Sequence, residues 1–185
     1  MSVLYISSAR IKRDTALGST VDDNILNPYI QIAQDRWILP VLGTDLDEYL
    51  KVEIATPTAL TGAYKTLVEE YLQPCLVQLA FVEVAYVVRL RFANNSVTIS
   101  TSEQGQSAST SDIKLVVQRA EEIGMFYRER MIDYICNHTS DLPQYSTNTG
   151  SDLSPSQNNY FGGLNVYPQP PRSNREKAIL NAIEN

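Results

Sequence analysis

The chain has 185 residues, of which 43% are hydrophobic, and it carries a formal net charge of −6 at pH 7. It is long enough for one domain with a buried core. Its charges are spread along the chain, without the basic patch that grips nucleic acid by its phosphates. We also predict no membrane helix and no secretory signal, because the sequence shows neither an uninterrupted apolar run of about 18 residues nor a basic segment followed by an apolar one.

Two helices are predicted in the first forty residues. The first lies in SSARIKRDTAL, with Ser7 or Ser8 as its N-cap. The second follows Thr20 or Asp22 and carries apolar residues at helical spacing on one face. Serine, threonine and aspartate are favoured at these positions because their side chains accept a hydrogen bond from a free N–H of the first turn.

The stretch NPYIQIAQDRWILPVLGTDLDEYL, residues 27–50, predicts a rigid elbow between two helices. Pro40 should end the first helix one residue earlier, and Gly43 should turn the corner. Thr44 is expected to cap the next helix, with Asp45 and Asp47 in its first turn, facing the positive end of the helix dipole. We interpret these acids as structural and solvent-facing, with a catalytic site as the alternative.

Two long helices are predicted in the middle of the chain, at about residues 61–90 and 111–138, packed antiparallel. Pro74 should distort the first helix, which becomes apolar on nearly every side beyond it. The sequence NNSVTIST between the helices alternates apolar and polar residues, which is typical of a short strand or hairpin. The predicted fold is mainly α, a small helical bundle with this β insertion.

The composition changes at about residue 146, where Ser, Asn, Gln and Pro become frequent. Such a segment cannot bury a core of its own, so we predict a helical domain over 1–145 and an extended C-terminal assembly arm over 146–185. Its apolar side chains should bury on a partner, with folding back onto the bundle as the alternative. They are Tyr160, Phe161, Leu164, Val166 and Tyr167.

Enzyme signatures are absent from the sequence, including a phosphate-binding loop, a Rossmann glycine set, a Gly-x-Ser-x-Gly elbow and a His-Glu-x-x-His zinc motif. His138 is the single histidine, and it is expected to meet carbonyl groups at the end of a helix. Cys75 and Cys136 are predicted to be reduced core residues. The sequence therefore predicts no enzyme, no cofactor and no metal.

Glu83 stands out because it lies in the most apolar part of the first long helix, where an unpaired carboxylate is costly. We predict a structural ion pair, rather than a catalytic acid, with Arg89, Arg91 or Arg119, within the chain or across a subunit boundary. Glu83, Arg89 and Arg91, together with the apolar side chains of the arm, form the predicted assembly interface.

The elbow, the helix YKTLVEEYLQPCLVQLAFVEVAYVVRLRF, the strand NNSVTIS and the helix IKLVVQRAEEIGMFYRERMIDYI together resemble a known group of proteins. They resemble the head–tail connector (adaptor) proteins of tailed bacteriophages, especially the ring proteins of phages that infect Bacteroidetes, including crAss-like phages. The resemblance covers about residues 5–145.

This resemblance implies a homo-oligomeric ring of twelve copies in the neck of the virion, made in the host cytoplasm. The ring would bind the portal protein above and the tail or further neck proteins below, and DNA would pass through its lumen without sequence-specific binding. Two alternatives remain: a non-viral helical adaptor that recruits a client through its C-terminal tail, and a small hydrolase or nuclease with convergent carboxylates.

Overall fold

The computed structural model describes residues 3–18, 21–56, 60–93, 96–99, 110–147 and 152–155. These residues are mainly helical, as the sequence predicts. The α-helices are α1 (Ser8–Asp14), α2 (Asp23–Ala33), α3 (Leu39–Leu42), α4 (Thr44–Ala55), α5 (Gly62–Thr66), α6 (Gln73–Arg89), α7 (Thr110–Asn137) and α8 (Pro143–Thr147). Between α6 and α7, the strands β1 (Leu90–Ala93) and β2 (Ser96–Ile99) pair antiparallel, with Leu90 opposite Ile99.

The caps of the first two helices agree with the sequence prediction. The side chain of Ser7 accepts a hydrogen bond from the backbone N–H of Arg10 at the start of α1. Asp22 does the same for Asn24 at the start of α2. Each cap satisfies one of the N–H groups that the first turn of a helix leaves without a partner.

Pro40 and Pro74 are each preceded by a π-helical turn. Gln34–Ile38 leads into Pro40, and Leu67–Leu72 leads into Pro74. In a π turn the hydrogen bonds run from residue i to residue i+5 instead of i+4. This wider turn leaves room for the proline ring and changes the hydrogen-bond pattern where proline lacks an N–H donor. The prediction that Pro40 ends its helix was therefore wrong, because the helical path continues to Leu42.

The corner after α3 is made by Gly43, whose φ of +75° suits glycine rather than a residue with a side chain. Gly43 also holds the N-cap position of α4, so the prediction that Thr44 caps this helix was wrong. The Thr44 hydroxyl instead accepts a hydrogen bond from the backbone N–H of Leu153.

Helices α6 and α7 pack antiparallel, as predicted, with Tyr71 just before α6 stacked on Tyr134 near the end of α7. Further along α6, the Cys75 thiol donates a hydrogen bond to the Gly124 carbonyl oxygen, 3.3 Å away. A Cβ atom at Gly124 would lie 2.7 Å from Cδ2 of Leu79, so glycine allows the two helices to approach here.

The core lies between α6, α7 and the helices of the first half of the chain. Its largest fully buried side chains are Ile11, Leu26, Ile30, Ile38, Leu42, Leu46, Leu50, Leu67, Leu72, Leu76, Leu79 and Met131. The segment Gly62–Val88 is long and apolar enough, by length and composition, to cross a membrane, with a mean hydropathy of 1.5. Nearly half of this apolar window is buried inside the bundle, and the core helix of a globular protein meets the same criterion.

Candidate interaction surfaces

The N-terminal segment is held on the bundle by two glutamines. The buried Gln34 accepts a hydrogen bond from the Tyr5 N–H at 3.2 Å and donates one to the Val3 carbonyl at 3.1 Å. Gln73 donates to the Tyr5 carbonyl at 2.9 Å, and its own side-chain oxygen accepts from Arg10. These hydrogen bonds provide partners for backbone groups of Val3 and Tyr5, which lie outside any helix or strand.

Asp47 is a buried acid in the elbow, with only 3% of its surface exposed. Its carboxylate accepts a hydrogen bond from the Tyr5 hydroxyl at 2.8 Å and pairs with Lys51 at 2.6 Å. Burial and the nearby carboxylate raise the pKa of Tyr5, so its hydroxyl remains a proton donor. The prediction that the elbow acids face solvent was therefore wrong for Asp47, which links the N-terminus to α4.

Glu83 is paired with an arginine, as predicted, but with a different one. Its carboxylate accepts hydrogen bonds from the Arg36 guanidinium and the Trp37 indole N–H, both at 2.9 Å. The Glu83 side chain is 15% exposed, whereas that of Arg36 is 63% exposed. Arg119, one of the three arginines suggested by the sequence, instead lies 3.2 Å from Glu122.

The partners of Glu83 that the sequence did not indicate are Arg36 and Trp37, which are two adjacent hydrogen-bond donors in the elbow. Sequence reasoning preferred arginines near Glu83 on the same helix or on α7, because the fold that brings α6 against the elbow was unknown. The side chains of Arg89 and Arg91 are not described by the structure. The predicted arm residues Tyr160, Phe161, Leu164, Val166 and Tyr167 also lie outside the described residues.

A short piece of the predicted arm, residues 152–155, contacts the elbow. The Thr44 N–H donates to the Leu153 carbonyl at 3.1 Å, and the Leu153 N–H donates to the Thr44 hydroxyl at 3.0 Å. Pro155 sits so close to Gly43 that a Cβ atom there would lie 2.7 Å from Cδ of Pro155. The chain therefore returns to the helical body beyond residue 146, where the sequence predicted that the arm begins.

An apolar groove of about 220 Å³ lies between the end of α6 and the start of α7. It is lined by Leu17, Phe81, Ala85, Val88, Ile113, Val116 and Val117. One of these lining side chains, Val116, is 48% exposed. Contiguous apolar surface that is open to water is typical of sites that contact another molecule.

The histidine and the two cysteines, which are the side chains most suited to catalysis or metal binding, show no arrangement for either among the described residues. The His138 ring lies on the Tyr134 ring, and its Nδ1 is 2.9 Å from the Tyr134 carbonyl oxygen, as expected at a helix end. Cys75 is buried, which raises the pKa of its thiol to about 12, whereas Cys136 is exposed, contrary to prediction. Among the described residues, no three His, Cys, Asp or Glu side chains are grouped closely enough to hold a metal ion.

A comparison with protein families gives one match, and it covers more than half of the chain. Residues 38–154 match the model of a family of unknown function, DUF6712. The matched region begins in the elbow, includes α6 and α7, and ends within the segment that contacts Thr44. No curated protein and no solved structure matches the chain. The chain therefore belongs to the DUF6712 family.

Proposed function

We propose that this protein is a head–tail connector subunit of a tailed bacteriophage, which forms a ring between portal and tail around the DNA channel. The proposal rests on the resemblance of residues 5–145 to such proteins, through the elbow, the two long helices and the segment between them. In this proposal the short β insertion and an extended C-terminal arm complete the fold, and the protein acts as a virion structural component, not as an enzyme.

The observation that carries the proposal is the apolar surface around the α6–α7 groove. The side chains that line this groove are all apolar, and Val116 among them is 48% exposed. Burial of apolar surface stabilises an assembly by roughly 25 cal/mol per Å². A closed ring can cover this surface on every copy, because each copy meets its neighbour in the same way.

The partners of the proposed ring follow from the same resemblance. The portal protein and the tail or further neck proteins would bind opposite faces, and the arm side chains beyond Pro155 would serve as contacts. The net charge of −6 suits a channel along which DNA slides without being held, since clustered positive charge would bind its phosphates.

Native mass spectrometry of the purified chain, alone and with the portal protein of the same phage, tests the proposal. We expect a ring of about twelve copies with the portal, as the resemblance implies. Val116→Asp should weaken this assembly at least tenfold, because a charge would be buried at the interface. The matched control, Gln118→Asp, adds the same charge at an exposed polar position on α7 and should assemble normally.

Two outcomes would contradict the proposal. A monomer or dimer that does not bind the portal protein would favour the non-viral adaptor. Equal assembly of Val116→Asp, Gln118→Asp and the unmodified chain would show that the apolar surface is not the interface, and would remove the observation that carries the proposal.

A further inference from the structure

We propose that the Gly43–Thr44 corner is a seat for the segment Leu153–Pro155 of the same chain. This contact acts as a clip, which holds residues 153–155 on the helical body. The clip does not depend on the connector function, since it concerns how the chain is organised and not what the protein binds.

The hydrogen bonds of the clip satisfy groups that would otherwise lack partners. Thr44 is the first residue of α4, so its backbone N–H has no acceptor within the helix. The Leu153 carbonyl accepts that N–H, and the Thr44 hydroxyl accepts the Leu153 N–H in return. A single residue of the elbow therefore holds both backbone groups of Leu153.

Gly43 makes room for the same segment. Besides its φ of +75°, it lacks the Cβ atom that would lie 2.7 Å from Pro155 Cδ and 3.3 Å from the Leu153 carbonyl oxygen. Any side chain there would push the segment away from Thr44. Pro155 in turn restricts the backbone at the exit of the seat, because its ring fixes φ.

The residues of the clip lie close to the two ends of the region that matches the family model. The matched region starts at residue 38, shortly before the Gly43 corner, and ends at residue 154, just after Leu153. The clip therefore joins the two ends of the matched region.

Amide hydrogen exchange, measured residue by residue with nuclear magnetic resonance on the full chain, tests the clip. Thr44→Val removes the hydroxyl acceptor and should make the Leu153 amide exchange about fivefold to tenfold faster, as expected for the loss of one hydrogen bond. Thr44→Ser keeps the hydroxyl and should retain the slow exchange. Thr56→Val, at the other end of α4, is the matched control and should leave Leu153 unchanged.

Any one of four results would overturn the proposal. The first is a Leu153 amide that exchanges as fast in the unmodified chain as in an unstructured peptide. The second is equal exchange in Thr44→Val and the unmodified chain, with circular dichroism showing that both are folded. The third is a loss of protection on dilution, which would mean that the seat is filled by a second copy. Deleting 156–185 should leave Leu153 protected, and a loss of protection would also contradict the clip.

Discussion

The elbow and the α6–α7 groove differ in whether their side chains find partners within the chain. In the elbow, polar side chains meet partners from distant parts of the chain: Asp47 meets Tyr5, and Trp37 meets Glu83. At the groove, the lining is apolar and one lining side chain, Val116, is 48% exposed. One region is completed within the chain, and the other leaves apolar surface uncovered.

This difference separates two physical roles. A buried hydrogen bond adds little net stability, but it penalises other arrangements because each would leave a buried polar group unpaired. The elbow therefore fixes how the N-terminus, α4 and α6 are arranged. Apolar surface has no such directional demand, so the groove favours contact with a partner without defining its orientation. The following predictions test whether the two regions divide these roles.

Replacing Asp47 should have the largest effect on stability. Asp47→Ala removes the carboxylate acceptor of the buried Tyr5 hydroxyl, which keeps only the main-chain carbonyl of residue 47 at 3.2 Å, and it leaves Lys51 without its counter-charge. We expect a loss of about 2–3 kcal/mol in the free energy of unfolding, measured with urea. The control, Glu48→Ala, removes an exposed acid from the same helix and should change stability by less than about 0.5 kcal/mol. Equal effects of the two variants would mean that the elbow is not held by its buried polar contacts.

Glu83→Ala should have the next largest effect. It leaves the Trp37 indole N–H without its acceptor, while the exposed Arg36 remains solvated. We expect a loss of about 1–2 kcal/mol in chemical denaturation. Glu122→Ala breaks a solvent-exposed pair with Arg119 and should cost close to nothing. A Glu83 variant as stable as the Glu122 variant would show that the pairing with the elbow does not contribute to the fold.

Gly124→Ala tests the close contact of α6 and α7 between the two regions. Alanine favours helix by about 1 kcal/mol over glycine, but its methyl group would press on Leu79, so we expect a net loss of about 1 kcal/mol. In a double-mutant cycle, Leu79→Ala should relieve that pressure and make the combined loss smaller than the sum of the two. Additive losses would contradict a steric contact at this position.

Val116→Asp should have the smallest effect on the stability of the isolated chain, below about 1 kcal/mol, because about half of the side chain is already in water. Val117→Asp is the contrasting variant, since Val117 is a buried part of the groove lining and a charge there should cost several times more. Thermal melting of both variants at low protein concentration measures the difference. An equally large loss for Val116→Asp would show that Val116 belongs to the core.

Local patterns in the sequence determined much of the fold. The caps at Ser7 and Asp22, the antiparallel long helices and the mainly helical class follow from side-chain type and apolar spacing, which act within a few residues. The sequence also indicated that Glu83 needs a counter-charge, because an apolar helix face penalises an unpaired carboxylate.

Only the tertiary structure decided which groups meet across the chain. Arg36 and Glu83 lie on different helices, and Leu153 lies in a non-helical segment far along the chain from Thr44, so no local pattern pairs them. Pro40 could not be placed from sequence either, because a π-helical turn that contacts α6 carries the helix past it. Long-range packing selects these partners because its free energy exceeds the weak local preferences of single residues.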